Sequence, residues 1–278
     1  ISLTWLAGPL TGIFVQPMVG VLSDRFGRRR KPFLCTGLVG MIIGLLTFSR
    51  ASSTIVAVAA FWFLDASINT YQAALRALLI DTVPEQSQVG EIFVTVISWL
   101  STALGYALGG IELGSGLHLE GLITSEASMV FTITAIYVGV FGCCGVLGVN
   151  EDISTTTEMA AVETENCGKR LLRETAEGIN VMPVTMRFAF AAQSASYVAW
   201  FGIFMYSTEW VGTTIFNGDD GASQEQQLLF TQGVRHANIS LAWAAILCSA
   251  ASISIPLLLK RDKNGDRKCG RCRKSEPG

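Results

Sequence analysis

The chain has 278 residues, half of them hydrophobic and 15% charged, with a formal net charge of −2 and a mean hydropathy of +0.44. An ordinary soluble domain carries about 25% charged residues, so the composition excludes a water-soluble globule and implies a protein whose solvent is lipid. The near-neutral total offers no basic field for nucleic acid; the seven cysteines are scattered, mostly in apolar runs where Cys packs as a small hydrophobe, and suggest no disulfide framework.

A membrane-crossing helix needs ~20 predominantly apolar residues. Seven stretches come close, at 3–22, 33–48, 55–80, 92–113, 129–149, 188–216 and 239–259, which predicts an all-α membrane protein with about seven transmembrane helices. The first stretch holds Gln16 and carries Gly8, Pro9, Gly12 and Pro17, tolerated as bends where neighbouring helices satisfy the freed backbone groups. It leads into Gly20-Val-Leu-Ser-Asp24-Arg25-Phe-Gly27-Arg28-Arg29-Arg30. In that loop Gly20 is expected to allow close helix approach, Gly27 a tight turn, and Asp24 to accept charge-assisted bonds from the arginines. A plain positively charged loop would account for the arginines but not for the glycines and the acid.

The third stretch places Asp65, Asn69, Gln72 and Arg76 at i, i+4, i+7 and i+11. At about 100° per residue these return to one helix face as a polar stripe roughly 16 Å long. Ionisable groups at membrane depth are costly and face a cavity or a partner. A carboxylate there can carry a proton, and a guanidinium can offer paired donors to sugar hydroxyls. The alternative is a static Asp–Arg pair that holds helices together, although three turns separate Asp65 from Arg76.

Residues 150–186 are polar and acid-rich, with a Thr run at 155–157, and read as a linker between two helix groups. Residues 217–232 read as an exposed loop on the opposite face. Asn238-Ile-Ser240 is a formal glycosylation sequon at the edge of a span and is expected to be unmodified. The tail from Lys260 is basic; Cys269 and Cys272 have CxxC spacing without a second pair, so no metal site is expected. Of the 20 basic residues, five lie in the first loop, four between the fifth and sixth stretches and eight in the tail, all on one side if seven helices alternate. That side should be the cytoplasm. The chain opens at Ile1, without an initiator Met or a signal-peptide n-region, and is expected to begin inside a longer protein.

The Gly20-to-Arg30 segment fits G-x-x-x-D-R-x-G-R-R-R, and so resembles the signature between the second and third helices of major facilitator proteins. The resemblance implies a partial major facilitator fold: residues 1–149 as an N-terminal bundle of helices two to six with helix one missing, 150–187 as central cytoplasmic linker, 188–259 as helices seven and eight, and 260–278 as basic cytoplasmic tail. It also implies that Gly20, Asp24, Arg25, Gly27, Arg28 and Arg29 latch a cytoplasmic gate. Asp266-Arg267-Lys-Cys-Gly270-Arg271 stands where a degenerate repeat of the motif would fall.

The run Phe61-Trp62-Phe-Leu-Asp65-Ala-Ser-Ile-Asn69-Thr-Tyr-Gln72-Ala-Ala-Leu-Arg76-Ala-Leu-Leu-Ile-Asp81 resembles the fourth helix of the sucrose and α-glucoside proton symporters, a glycoside-pentoside-hexuronide-like family. Gly8-Pro9-Leu10, Val15-Gln16-Pro17, Gly105-Tyr106-x-x-Gly109, Ala199-Trp200-Phe201-Gly202 and Thr208-Glu209-Trp210-x-Gly212 extend the match. The resemblance implies proton-coupled symport of a disaccharide or glucoside across a lipid bilayer, at the plasma membrane ahead of the vacuole. Asp65 matches the acid associated with protonation and Arg76 the arginine associated with substrate. Gln16, Asn69 and Gln72 are sugar contacts or, equally, helix-to-helix hydrogen bonds; Trp200 stacks on a pyranose or packs. Asp81 closes the matched run without an assigned role, and Glu209 is a gating or a membrane-edge acid. Thr213 and Thr214 stand where plant relatives often carry a basic and an acidic residue. No nucleophile–base pair or phosphate-cradling loop points to an enzyme, and no cofactor is implied beyond the coupling proton. A non-transporting truncated product or a membrane sugar sensor is the competing reading.

Overall fold

A computed structural model describes residues 7–25, 29–111, 126–149 and 180–272, with the isolated positions Lys169, Arg173, Ala176 and Glu177. Among them the regular structure is helical: α1 (Ala7–Arg25), α2 (Lys31–Ser49), α3 (Thr54–Thr82), a 3₁₀ turn (Pro84–Gln86), α4 (Ser87–Gly110), α5 (Glu126–Gly148), α6 (Val184–Trp210), a π-helical turn (Val211–Ile215) and α7 (Gln224–Cys272). These seven helices fall on the seven apolar stretches, and the chain is an all-α, multi-pass membrane protein. Six of them are long and apolar enough to cross a membrane. The exception is α1, where Gln16, Pro17, Ser23, Asp24 and Arg25 dilute the apolar run.

Local chemistry sets the helix ends. Pro32 occupies the first turn of α2, where its missing N–H is one the helix leaves unpaired anyway. Ser53 caps α3 by accepting from the Val56 N–H. The loop expected over 217–232 is shorter than that, because α7 starts at Gln224. Asn217 turns the chain with φ 52°, the Asp219 carboxylate accepts from the Gly221 N–H at 2.9 Å, and Glu225 places an acid in the first turn, as a helix N-terminus favours. At its other end α7 remains helical to Cys272, so the first part of the basic tail continues the helix.

The helices form two compact units, Ile1–Pro84 with Leu113–Gln193, and Glu85–Glu112 with Ser194–Gly278. The units do not follow chain order: α4 groups with α7, and α6 contributes to both. In the first unit α2 packs on α3 and α5, and α1 packs on α3. Gly37, Gly40 and Gly44 bring α2 against α3. A Cβ at Gly37 would stand 2.8 Å from the Tyr71 nitrogen, one at Gly44 2.9 Å from the Leu64 Cβ, and one at Gly40 would collide with the Ser67 hydroxyl. Only glycine permits this approach of two backbones. Val19, Leu34, Leu38, Ala74, Leu78 and Val146 form the core of the unit, while Ile43, Phe63, Ile136 and Phe141 face outward. Small and polar side chains such as Thr11, Ser67, Asn69, Ser128 and Thr132 are buried. Large apolar groups outside and small polar ones between helices is the arrangement expected where lipid is the solvent.

In the second unit α4 lies along α7. A Cβ at Gly110 would stand 2.7 Å from the Ile239 Cγ1, the Ser249 hydroxyl donates to the Val96 carbonyl at 3.4 Å, and the π turn packs on the start of α7, where a Cβ at Gly233 would lie 2.7 Å from the Gly212 Cα. The sequon residue Asn238 is helical and its Nδ2 donates to the Gly109 carbonyl at 3.2 Å.

Candidate functional site

The polar stripe of α3 does not act as one unit. Its N-terminal half meets α1, which brings Thr11 and Gln16 to Asp65 and Asn69. Asn69 is 8% exposed and its Nδ2 donates over 3.1 Å to Asp65 Oδ2, lying also 3.0 Å from the Thr11 hydroxyl oxygen and 3.0 Å from the Asp65 carbonyl. The Thr11 hydroxyl bonds Asp65 Oδ2 as well. On the other side, Gln16 Nε2 donates to Asn69 Oδ1 at 2.7 Å. Gln16 and Asn69 therefore bond each other across the α1–α3 contact, the helix-to-helix reading of those two residues. This orientation of the Asn69 amide turns its donors to the carboxylate and its acceptor to Gln16. Gly12 lines the cluster without crowding it, since a Cβ there would lie 3.7 Å from Asn69 Oδ1.

The other half of the stripe is open. Gln72 and Arg76 are exposed on α3, and no ion pair joins Arg76 to Asp65 among the described residues. The two halves differ because α1 brings polar side chains to Asp65 and Asn69, whereas further along α3 its contact is through Val19 to Ala74 and Leu78, on positions other than Gln72 and Arg76. Thr11 carries no periodic signal that marks it in the sequence, and packing alone reveals it as the partner of the acid.

A second polar junction joins the ends of α1 and α3. Arg30, 5% exposed, uses three different nitrogens. Nε donates to Asp81 Oδ2 at 3.0 Å, Nη2 to Asp24 Oδ1 at 2.7 Å, and Nη1 to the Ser23 hydroxyl. Burial disfavours the guanidinium charge, but the bonds and charges of Asp81 and Asp24 outweigh it and raise its pKa above the ordinary arginine value. Beside it the Lys31 ammonium donates to the Val149 carbonyl at 2.8 Å, placing a cation at the C-terminal end of α5.

The motif ends on Arg30, but the latch residues that the resemblance implies, among them Asp24, Arg25, Arg28 and Arg29, leave it out. Its signal is position, as the last arginine before the Lys31-Pro32 start of α2. Arg29 is exposed; Gly27, Arg28 and the side chain of Arg25 lie outside the described residues. Asp81, without a role from the sequence, is an anchor of the junction. At Gly20 a Cβ would meet nothing within 4 Å among the described residues. The close helix approach described in this unit is made by the glycines of α2.

In the second unit Trp200, 43% exposed, stacks on Phe204 one turn along, with centroids 5.4 Å apart and planes at 24°. Its aromatic face is thus shared with a neighbour on its own helix. Glu209 is exposed, and its carbonyl accepts from the Thr213 hydroxyl at 2.8 Å where α6 passes into the π turn. The hydroxyl of Ser207 is buried without a partner among the described residues.

The sequence profile of the Major Facilitator Superfamily matches residues 1–266. Among curated proteins the chain is similar to sucrose transport protein SUT5 of Oryza sativa subsp. indica, at 27% identity over 94% of this chain and 55% of the relative. Sucrose transport protein SUT2 of the same plant is 26% identical over 94% of this chain and 58% of its own length. The general alpha-glucoside permease of Schizosaccharomyces pombe is 27% identical over 93% and 49%, respectively. The chain thus spans about half the length of the curated relatives it matches, and these relatives are named as transporters rather than enzymes.

Proposed function

Because this chain belongs to the Major Facilitator Superfamily, we propose that the complete protein carries sucrose or a related α-glucoside together with a proton, by alternating access across the plasma membrane. The names of the relatives support the sugar class. The observation that carries the proton is the setting of Asp65, half-buried between α1 and α3 and held by the neutral partners Thr11 and Asn69. A carboxyl held this way can change its charge without breaking an ion pair. Among the described residues, no cation has to be released from it in the same step.

In this mechanism the proton resides on the Asp65 carboxyl while sugar is carried and leaves it before the empty carrier returns. Arg76 and Gln72, exposed on the same helix, offer donors to sugar hydroxyls, and Trp200 an aromatic face to a pyranose ring. The Gln16–Asn69 bond keeps α1 and α3 in register while the site changes charge. The Arg30 junction clamps the basic end of the same two helices, and opening that end requires its bonds to exchange. Glu209, beside the π turn, is assigned to gating in the second unit.

The test is uptake of labelled sucrose and maltose by the complete protein in liposomes, with a dye reporting lumenal pH. The expected result is lumenal acidification that accompanies sugar entry, with Asp65→Asn separating the two. Sugar accumulation untouched by an uncoupler would sink the proposal.

A further inference from the structure

We propose that Thr11 is a positioning residue for the proton on Asp65, its hydroxyl exchanging donor and acceptor roles as the carboxyl loses and gains that proton. The inference rests on the reading of Asp65 given above. A threonine hydroxyl has one hydrogen to give and two lone pairs to offer. Three described groups besides the carboxyl surround that of Thr11. The Ala7 carbonyl lies at 2.9 Å and the Gly8 carbonyl at 3.4 Å, both acceptors on its own helix, and Asn69 Nδ2 is a donor at 3.0 Å. The fourth neighbour is Asp65 Oδ2. Thr11 itself is 8% exposed, so water does not stand in for any of them.

With Asp65 ionised, the hydroxyl hydrogen goes to Oδ2, because a bond to a charged acceptor is roughly twice as strong as one to a carbonyl. When Asp65 takes up a proton, the acid O–H donates to a lone pair of Thr11, and the threonine turns its own hydrogen to the Ala7 carbonyl. One torsion of a hydroxyl satisfies both states. No heavy atom moves and no buried group is left unpaired. The stretches that pack here, residues 7–23 of α1 and 33–49 of α2, contain no charged side chain, and the nearest charge on α3 is Arg76, three turns along. Cys35 is the other titratable group on those stretches, and it is exposed. Among the described residues, the hydroxyl therefore faces no competing ion.

Removing the hydroxyl costs the ionised form more than the protonated form, so release of the proton slows. Net uptake requires that release in every cycle, whereas exchange of sugar between two loaded faces runs with Asp65 protonated throughout. The complete protein in liposomes separates the two modes. Thr11→Val is expected to lower net uptake on the order of tenfold while exchange stays within about twofold, and Thr11→Ser is expected to retain both. Thr11→Ala, which cannot crowd the contact, should repeat the valine result if that variant fails to insert. A purely structural threonine would lower uptake and exchange together. That outcome, wild-type net uptake in the hydroxyl-free variants, or a serine variant as impaired as the valine, would overturn the assignment. Asp65→Asn in the same membranes reads the underlying proposal separately. If it remains as tightly coupled as the wild type, the proton is not on Asp65 and the role of Thr11 falls with it.

Discussion

Replacing Arg30 tests how the ends of α1 and α3 are held. The guanidinium reaches Asp81 through Nε at 3.0 Å, Asp24 through Nη2 at 2.7 Å and Ser23 through Nη1. The side-chain exposures rank the two ion pairs: 29% for Asp81 and 50% for Asp24. A half-exposed carboxylate is screened by solvent, and its pair contributes about 0.5–1 kcal/mol. The less exposed Asp81, with a charge-assisted bond, contributes about 1.5–2 kcal/mol. Arg30→Met keeps much of the apolar stem and removes the three bonds, so a loss of about 2–3 kcal/mol follows, short of the 3–5 kcal/mol for a fully buried pair because water reaches both acids left behind. Arg30→Lys should recover only part of that loss, since one ammonium cannot reproduce a planar fork aimed at three partners. The assay is denaturant unfolding in detergent micelles, with Asp24→Asn and Asp81→Asn closing two double-mutant cycles against Arg30→Met. Coupling to Asp81 must exceed coupling to Asp24. A larger coupling to Asp24, or an Arg30→Met variant within 0.5 kcal/mol of wild type, would refute the ranking by exposure and with it the junction as described.

Gly37→Ala should destabilise the protein by about 1–3 kcal/mol, because the added carbon meets the Tyr71 backbone, which cannot give way; Gly20→Ala, with nothing within 4 Å, should be neutral or gain up to about 1 kcal/mol of helix propensity. Thermal unfolding of the two variants side by side checks this pair. A double-mutant cycle of Gln16→Ala and Asn69→Ala should show a coupling of about 0.6–1.5 kcal/mol across the α1–α3 contact, and a value near zero in denaturant titrations would remove that bond from the account. Ser53→Ala should cost no more than about 1 kcal/mol, since the cap is exposed and long at 3.4 Å, which chemical denaturation of the variant would measure. Lys31→Met should cost about 0.5–1 kcal/mol by freeing the Val149 carbonyl at the end of α5, read as a lower unfolding midpoint.

Much of this molecule is written in single-helix periodicities. Runs of ~20 apolar residues specify spanning helices because no other segment can satisfy its backbone in hydrocarbon, and the seven runs indeed coincide with seven helices. Their ends were less legible. The extension of α7 back to Gln224 depends on polar residues whose capping and turn chemistry outweighs the hydropathy signal at its start. The stripe Asp65, Asn69, Gln72 and Arg76 likewise follows from 3.6 residues per turn.

What the sequence by itself determined is therefore a lipid-solvated set of helices, a basic loop with an acid in it, and one polar face on the third helix. Only tertiary packing decided which members of those patterns work together. Contact with α1 takes Asp65 and Asn69 and leaves Gln72 and Arg76 open; convergence of the ends of α1 and α3 brings Arg30 to Asp24 and Asp81; and the bare backbone of α2 provides a close approach to α3. The physical reason is that hydrophobic periodicity reports burial along one helix, whereas hydrogen bonds reach only about 3 Å and depend on which side chain another helix brings to that spot. Thr11, an ordinary residue in an apolar run, becomes the partner of the acid by that contact alone.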